Sequence, residues 1–253
     1  MLRPEDPPGF VVRTELQKAA SDNGFRLLHG SARGWLQFGS TTAHGQVWLA
    51  GVTRRGPWLL SLDHPGIAAE MGDREAAPLA GPGISTFLFA TLSDLYDALE
   101  RVYRLGTSLP DAPLRNFRAR TEGLPQKTEA ERLVVQRVGQ DVFRMALLDY
   151  WNGRCPLTGI ADEALLRASH IVPWKDCPDD AERLDVHNGL LLSALWDAAF
   201  DRGLVTFDDE GRPLFSRGLS GKARTELRWQ RPLTLTEAHR KRLRWHQEHV
   251  FAD

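Results

Sequence analysis

Apolar positions recur with two different periods along the chain, and the change of period divides it. Up to residue 109 short apolar runs stand between Gly-rich turns. The runs at 25–28, 35–38, 46–52, 58–62 and 84–90 have strand length and aromatic or aliphatic content. HGSARG, STTAHG and TRRG read as the turns between the first four. A short capped helix is expected to begin at Thr14 and end near Asn23-Gly24. A Pro/Gly/Ala-rich stretch after the fourth run reads as irregular. Residues 93–105 place Leu95, Leu99 and Val102 on one side of a helix. Residues 1–109 are therefore expected to form an α+β domain with an antiparallel sheet.

Residues 110–127 are punctuated by Pro and Gly and read as a linker, with Arg115, Arg118 and Arg120 either solvated or within reach of phosphates. From residue 128 the period becomes helical. Thr128-Glu-Ala-Glu has the N-cap and the Glu at N3 of a helix start. The apolar face continues through Leu133, Val134 and Val138 to Trp151, with a break expected near Gly139.

Leu165, Leu166, Ala168, Ile171 and Val172 then read as a strand with Ser169 and His170 at its end, stopped by Pro173. Asn188-Gly189 turns into a second strand, Leu190-Leu191-Leu192. Ser193 suits an N-cap for a helix from Ala194 to about Asp201, which sets Asp197 and Asp201 four apart on one face. A hairpin is expected from 204–207 and 212–216, followed by two helical pieces, the last starting at Thr236-Glu237. The expected class is α+β, with residues 128–253 as a helical scaffold carrying the strand–strand–helix unit.

Composition changes this picture little. Hydrophobic residues at 42% and charged residues at 26% are ordinary for a globular chain. No apolar run approaches the roughly 20 residues of a membrane span. The first ten residues lack the apolar core of a signal peptide, so a cytoplasmic location is expected. The two cysteines, Cys155 and Cys177, make neither a disulfide framework nor a zinc quartet, and no structural zinc is expected. Charge adds more. Residues 155–211 carry 4 basic and 12 acidic side chains, whereas residues 212–253 carry 10 and 4. A metal site wants carboxylates and a phosphate backbone wants Arg and Lys, although packed helices also compensate charge in this way.

The candidate chemistry lies in the acidic part. An imidazole takes a proton from water near neutral pH. A carboxylate holds a hard divalent cation, and an asparagine holds a loop or orients an imidazole. Together these suit metal-assisted phosphodiester hydrolysis. ASHIVPW, HNGLLLSALWDAAFD and GLVTFDDEG, in that order and preceded by FRMALLDYWNGRCPLTG, resemble the HNH endonucleases in their restriction-enzyme-like branch. The resemblance covers roughly residues 143–216 and implies a ββα-metal fold. It implies His170 as general base, Asn188 as the central asparagine, and Asp197 as a metal ligand where relatives usually carry histidine. Ser169 stands where many relatives carry the first metal ligand, and Asp201 is a further candidate ligand.

What the resemblance implies is a DNA endonuclease using one Mg2+ or Mn2+ per site and leaving a 5′-phosphate and a 3′-hydroxyl. Its setting would be restriction or defence, with modified bases among the possible targets. The partner would be DNA, double-stranded, with a homodimer as one route to a double-strand break. Arg144, Arg240, Lys241 and Arg244 are candidate phosphate contacts, the last three among four clustered cations near the C-terminus. Residues 1–109 would read DNA, with Trp35, Trp48 and Trp58 and Arg33, Arg54 and Arg55 as candidates for stacking on a base. Plainer readings stand beside these: Asn188 as the turn residue of Asn-Gly, Asp201 as a helix-end residue, the tryptophans as core. The rival functions are an RNase or toxin nuclease, and a DNA-binding protein with weak or lost catalysis.

Overall fold

A computed structural model of the protein describes residues 2–72, 76–125 and 127–252. Residues 73–75, in the stretch expected to be irregular, and residue 126, in the expected linker, lie outside the described residues. The chain divides into two units, Met1–Ala112 and Pro113–Asp253.

The first unit begins with α1 (Phe10–Asp22). It starts before Thr14, whose hydroxyl donates back to the Phe10 carbonyl at 2.8 Å instead of capping. Five strands follow, β1 (Leu27–Ala32), β2 (Trp35–Gly39), β3 (Val47–Gly51), β4 (Trp58–Leu62) and β5 (Ser85–Phe89), paired antiparallel in chain order. Most of HGSARG is strand. The turn is confined to Arg33-Gly34, which takes the left-handed conformation at φ 53° and 80°.

Leu36, Leu49, Leu60 and Phe87 stand opposite one another across four strands and make one buried face. Val12 of α1 presses on Gly51, in step with Leu49, so α1 covers this face. The other face carries Trp35, Ala50 and Leu59, with Trp48 and Leu88 partly buried against them. Trp58 is core. Trp35, Gln37 and Trp48 line a cavity of about 260 Å³. The irregular stretch contains a helix that the sequence reading missed, α2 (Pro65–Met71), between β4 and β5. Its N-cap is His64, whose Nδ1 accepts from the Ile67 amide at 3.2 Å, with Pro65 at the first position. Histidine is not among the usual capping residues, which hid the start. A capping box between Thr91 and Asp94 opens α3 (Leu92–Ser108).

The stretch expected as a linker is largely helical, as α4 (Asp111–Thr121). Asp111 in its first turn and Arg118 and Arg120 in its last suit the helix dipole, and Pro113 and Phe117 are buried. In the second unit, α5 (Glu129–Tyr150) opens on the Thr128–Glu131 capping box and runs without the break expected at Gly139. A Cβ there would lie 2.5 Å from the Trp174 ring, so the glycine admits a close contact within a continuous helix.

Then come β6 (Leu166–His170), α6 (Asp180–Arg183), β7 (Gly189–Ser193) and α7 (Ala194–Asp201). β8 (Val205–Phe207), β9 (Pro213–Phe215), α8 (Gly221–Glu226) and α9 (Glu237–His249) complete the unit. β6 and β7 pair antiparallel, with His170 opposite Gly189. Gly189 meets Phe143 and Leu147 of α5 so closely that a Cβ would fall 2.5 Å from the Phe143 ring. The protein is α+β, and β6, β7 and α7 form the expected ββα unit. Ser193 occupies the N-cap of α7 without a side-chain capping bond. Among the described residues no helix is long and apolar enough to cross a membrane.

Candidate active site

Successive side chains of a strand point to opposite faces, and the end of β6 uses both. Ser169 turns to α7, where its hydroxyl donates to Asp197 Oδ1 at 2.5 Å. His170 turns to α5 and stacks on Phe143, with ring centroids 3.8 Å apart and an interplanar angle of 16°. Trp174 meets the imidazole edge-on at 5.6 Å. His170 Nε2 lies 2.9 Å from the Arg183 carbonyl oxygen. A carbonyl only accepts, so Nε2 carries the proton and Nδ1 of the neutral ring keeps its lone pair. Burial pushes the imidazole below its ordinary pKa, opposed in part by the Arg183 bond. The ring is thus neutral near pH 7, with one nitrogen able to take a proton.

Asn188 has no exposed surface. Its Oδ1 accepts from the Val172 amide at 2.8 Å. Its Nδ2 has acceptors in the Val172 carbonyl at 3.2 Å, the Cys177 sulfur at 3.3 Å and the Glu182 carbonyl at 3.3 Å. These bonds tie together both ends of the loop between β6 and α6. The Glu182 carbonyl adjoins the Arg183 carbonyl that holds His170, so Asn188 reaches the imidazole through the loop backbone. Both cysteines are buried and outside any disulfide.

Ser169, His170, Trp174, Asp201, Arg202 and His246 line one cleft of about 460 Å³. Asp197 joins it through Ser169. The Asp201 carboxyl is pushed up to about 6, first by burial and then by the Asp197 charge. Asp197 therefore has the Ser169 hydroxyl bonded to one oxygen and the Asp201 carboxyl near enough to feel its charge. Among the described residues no group of three or more His, Cys, Asp or Glu side chains is arranged to hold a metal.

The candidate phosphate contacts lie elsewhere. Arg144 donates to the Leu166 and Glu163 carbonyls at 2.9 and 3.0 Å and holds α5 to the start of β6. Arg240 donates to the Asp209 carbonyl at 2.9 Å. Arg244 pairs with Glu237 at 2.6 Å and Asp209 at 3.2 Å. Lys241 is exposed. Arg242, the fourth of the clustered cations, is half-buried in an ion pair with Glu182 and Asp185. Sequence reasoning missed Arg202, which lines the cleft, and the ring contacts of Phe143 and Trp174. Arg202 follows Asp201 directly at the end of α7, and that adjacency was the available signal.

Residues 155–208 match the family model described as HNH endonuclease. The chain carries an HNH endonuclease domain. A search of curated proteins finds no match. The matched stretch holds β6, β7 and α7 with His170, Asn188 and Asp197, and such a domain is a nuclease module whose substrate is nucleic acid. The HNH segment ends before α9, although α9 supplies His246 to the cleft wall.

Proposed function

We propose that the protein is a divalent-metal-dependent DNA endonuclease in which His170 is the general base. The observation that carries this reading is the Nε2 bond to the Arg183 carbonyl, which leaves Nδ1 as the acceptor on a ring kept neutral by burial. Nδ1 takes a proton from the attacking water, and the Phe143 stack fixes the plane in which it does so. Asp197, Asp201 and the Ser169 hydroxyl are the residues that would hold Mg2+ or Mn2+. When bound, that ion supplies charge stabilisation at the phosphate and the leaving oxygen. Ser169 orients Asp197 through their bond, and Asn188 keeps the loop in place. Arg202 in the cleft and exposed Lys241 are the cations we assign to phosphates, ahead of Arg144, Arg240 and Arg244, which are engaged within the chain.

The first unit is proposed to select the DNA, in a restriction or defence setting. A homodimer would place two sites on the two strands. Full-length His170→Ala should retain the fold and lose plasmid cleavage with either metal by at least about 100-fold; cutting at the wild-type rate would refute the assignment. The bond that occupies Asp197 Oδ1 favours a second reading, a DNA-binding protein with weak catalysis. It requires DNA binding with no cleavage across a titration of Mg2+ and Mn2+.

A further inference from the structure

We infer that Arg242, on α9 and outside the family-matched segment, is a positioning residue for His170. The inference rests on the reading of His170 as the base. Arg242 Nε and Nη2 donate to the two carboxylate oxygens of Glu182 at 2.7 and 2.9 Å, a bidentate fork. Nη2 also donates to Asp185 Oδ2 at 2.5 Å. One guanidinium therefore clamps residues 182 and 185. Between them lies the Arg183 carbonyl that fixes His170, and Glu182 itself offers its carbonyl to Asn188.

The clamp is anchored at its other end. Nη1 donates to the Ala238 carbonyl at 3.1 Å within α9. Asp185 uses its second oxygen to hold the His187 amide at 2.8 Å and His187 Nδ1 at 2.9 Å, in the turn that delivers Asn188. The Arg242 side chain is only 13% exposed, which is unsuited to a solvent-facing phosphate contact. Burial works against its charge, but the bonds to Glu182 and Asp185 hold its pKa above the ordinary value. Removing it leaves the Glu182 carboxylate without its fork and Asp185 with His187 alone, and the carbonyl that sets the imidazole is no longer held. A displacement of about 1 Å at a catalytic group costs on the order of 100-fold in rate.

The test uses the full-length protein with Arg242→Ala and Arg242→Lys. Plasmid cleavage with Mn2+ gives kcat and KM, and the imidazole 15N spectrum at fixed pH reports the His170 Nε2–H tautomer. Arg242→Ala should lower kcat by about 100-fold, leave KM unchanged and dissolve the single His170 tautomer. Arg242→Lys keeps the charge without the fork and should recover part of both. Where the alanine variant does not fold, Glu182→Gln loosens one arm alone and should show the same two changes in smaller measure. Wild-type kcat with an unchanged His170 spectrum in these variants would overturn the inference. Absence of cleavage by the wild-type protein would sink the nuclease reading alone, and the His170 spectrum would still decide whether Arg242 sets the imidazole.

Discussion

At the residue scale the site depends on side chains that never touch a substrate. Asn188 has no exposed surface and spends both ends of its amide on the loop. Alanine in its place leaves the Val172 amide and the Glu182 carbonyl without their bonds in a buried setting. Each buried group so stranded costs about 1–3 kcal/mol. Asn188→Ala should therefore lower the urea midpoint by an amount corresponding to roughly 2–4 kcal/mol, and cleavage should fall further than the unfolded fraction accounts for. Equal loss of folded protein and activity would show that the amide stabilises without shaping the loop. The position of Asn188 was readable from Asn-Gly ahead of an apolar run. Its task was not, because its partners lie 6 to 16 residues upstream and meet it only in the folded loop.

At the scale of elements, local signals located most of the framework. The apolar runs gave β6 and β7, and Gly203 closes α7 at φ 66°. But β6 ends at His170, short of Pro173, and Asn188-Gly189 makes no tight turn, since Asn188 ends a 3-10 turn and Gly189 is extended strand at φ −149°. The sequence is uninformative where packing overrides local preference: Gly139 sits inside an unbroken helix because Trp174 needs the space. The last helix was legible as a helix and only partly as a surface, because Arg242 and Arg244 turn to carboxylates far away in sequence while Lys241 stays exposed. α9 also holds two buried histidines. His239 caps its own helix through Thr236, and its pKa is lowered to about 3, first by burial and then by the neighbouring His187. His246 accepts from Thr206 and donates to the Phe200 carbonyl, and burial lowers it to about 4.

Both folded-state values lie below the unfolded value of 6.5. Between those limits the unfolded chain binds protons that the folded chain refuses, so stability must fall as pH falls below about 6.5. At pH 5 each histidine should cost about 2 kcal/mol relative to pH 8. Urea titrations at the two pH values measure the net change, to which His170 adds and which Asp201 opposes, and His246→Gln should reduce the loss at pH 5 by about 2 kcal/mol. A pH dependence unchanged in His246→Gln would contradict the buried neutral state of that ring.

At the scale of the whole molecule, the uneven charge acquires a second meaning. The acidic residues 155–211 and the basic residues 212–253 suggest a metal site gripped by a phosphate-binding flank. In the fold, Arg242 answers Glu182 and Asp185, and Arg244 answers Asp209, so much of that asymmetry is compensated inside one unit. Among the described residues the contacts that set His170 and Asn188 come from within that unit: the Phe143 stack, the Arg183 carbonyl and the loop from Val172 to Glu182. A fragment starting at Asp111, which keeps α4 whole, should therefore unfold in one urea transition and cut DNA in a His170-dependent way. If the first unit selects the target, the fragment should cut plain and base-modified DNA alike, whereas the full chain distinguishes them. A fragment that folds yet preserves the full chain's cutting pattern would move target selection into the HNH unit, and the Trp35–Trp48 cavity would lose its claim to a base.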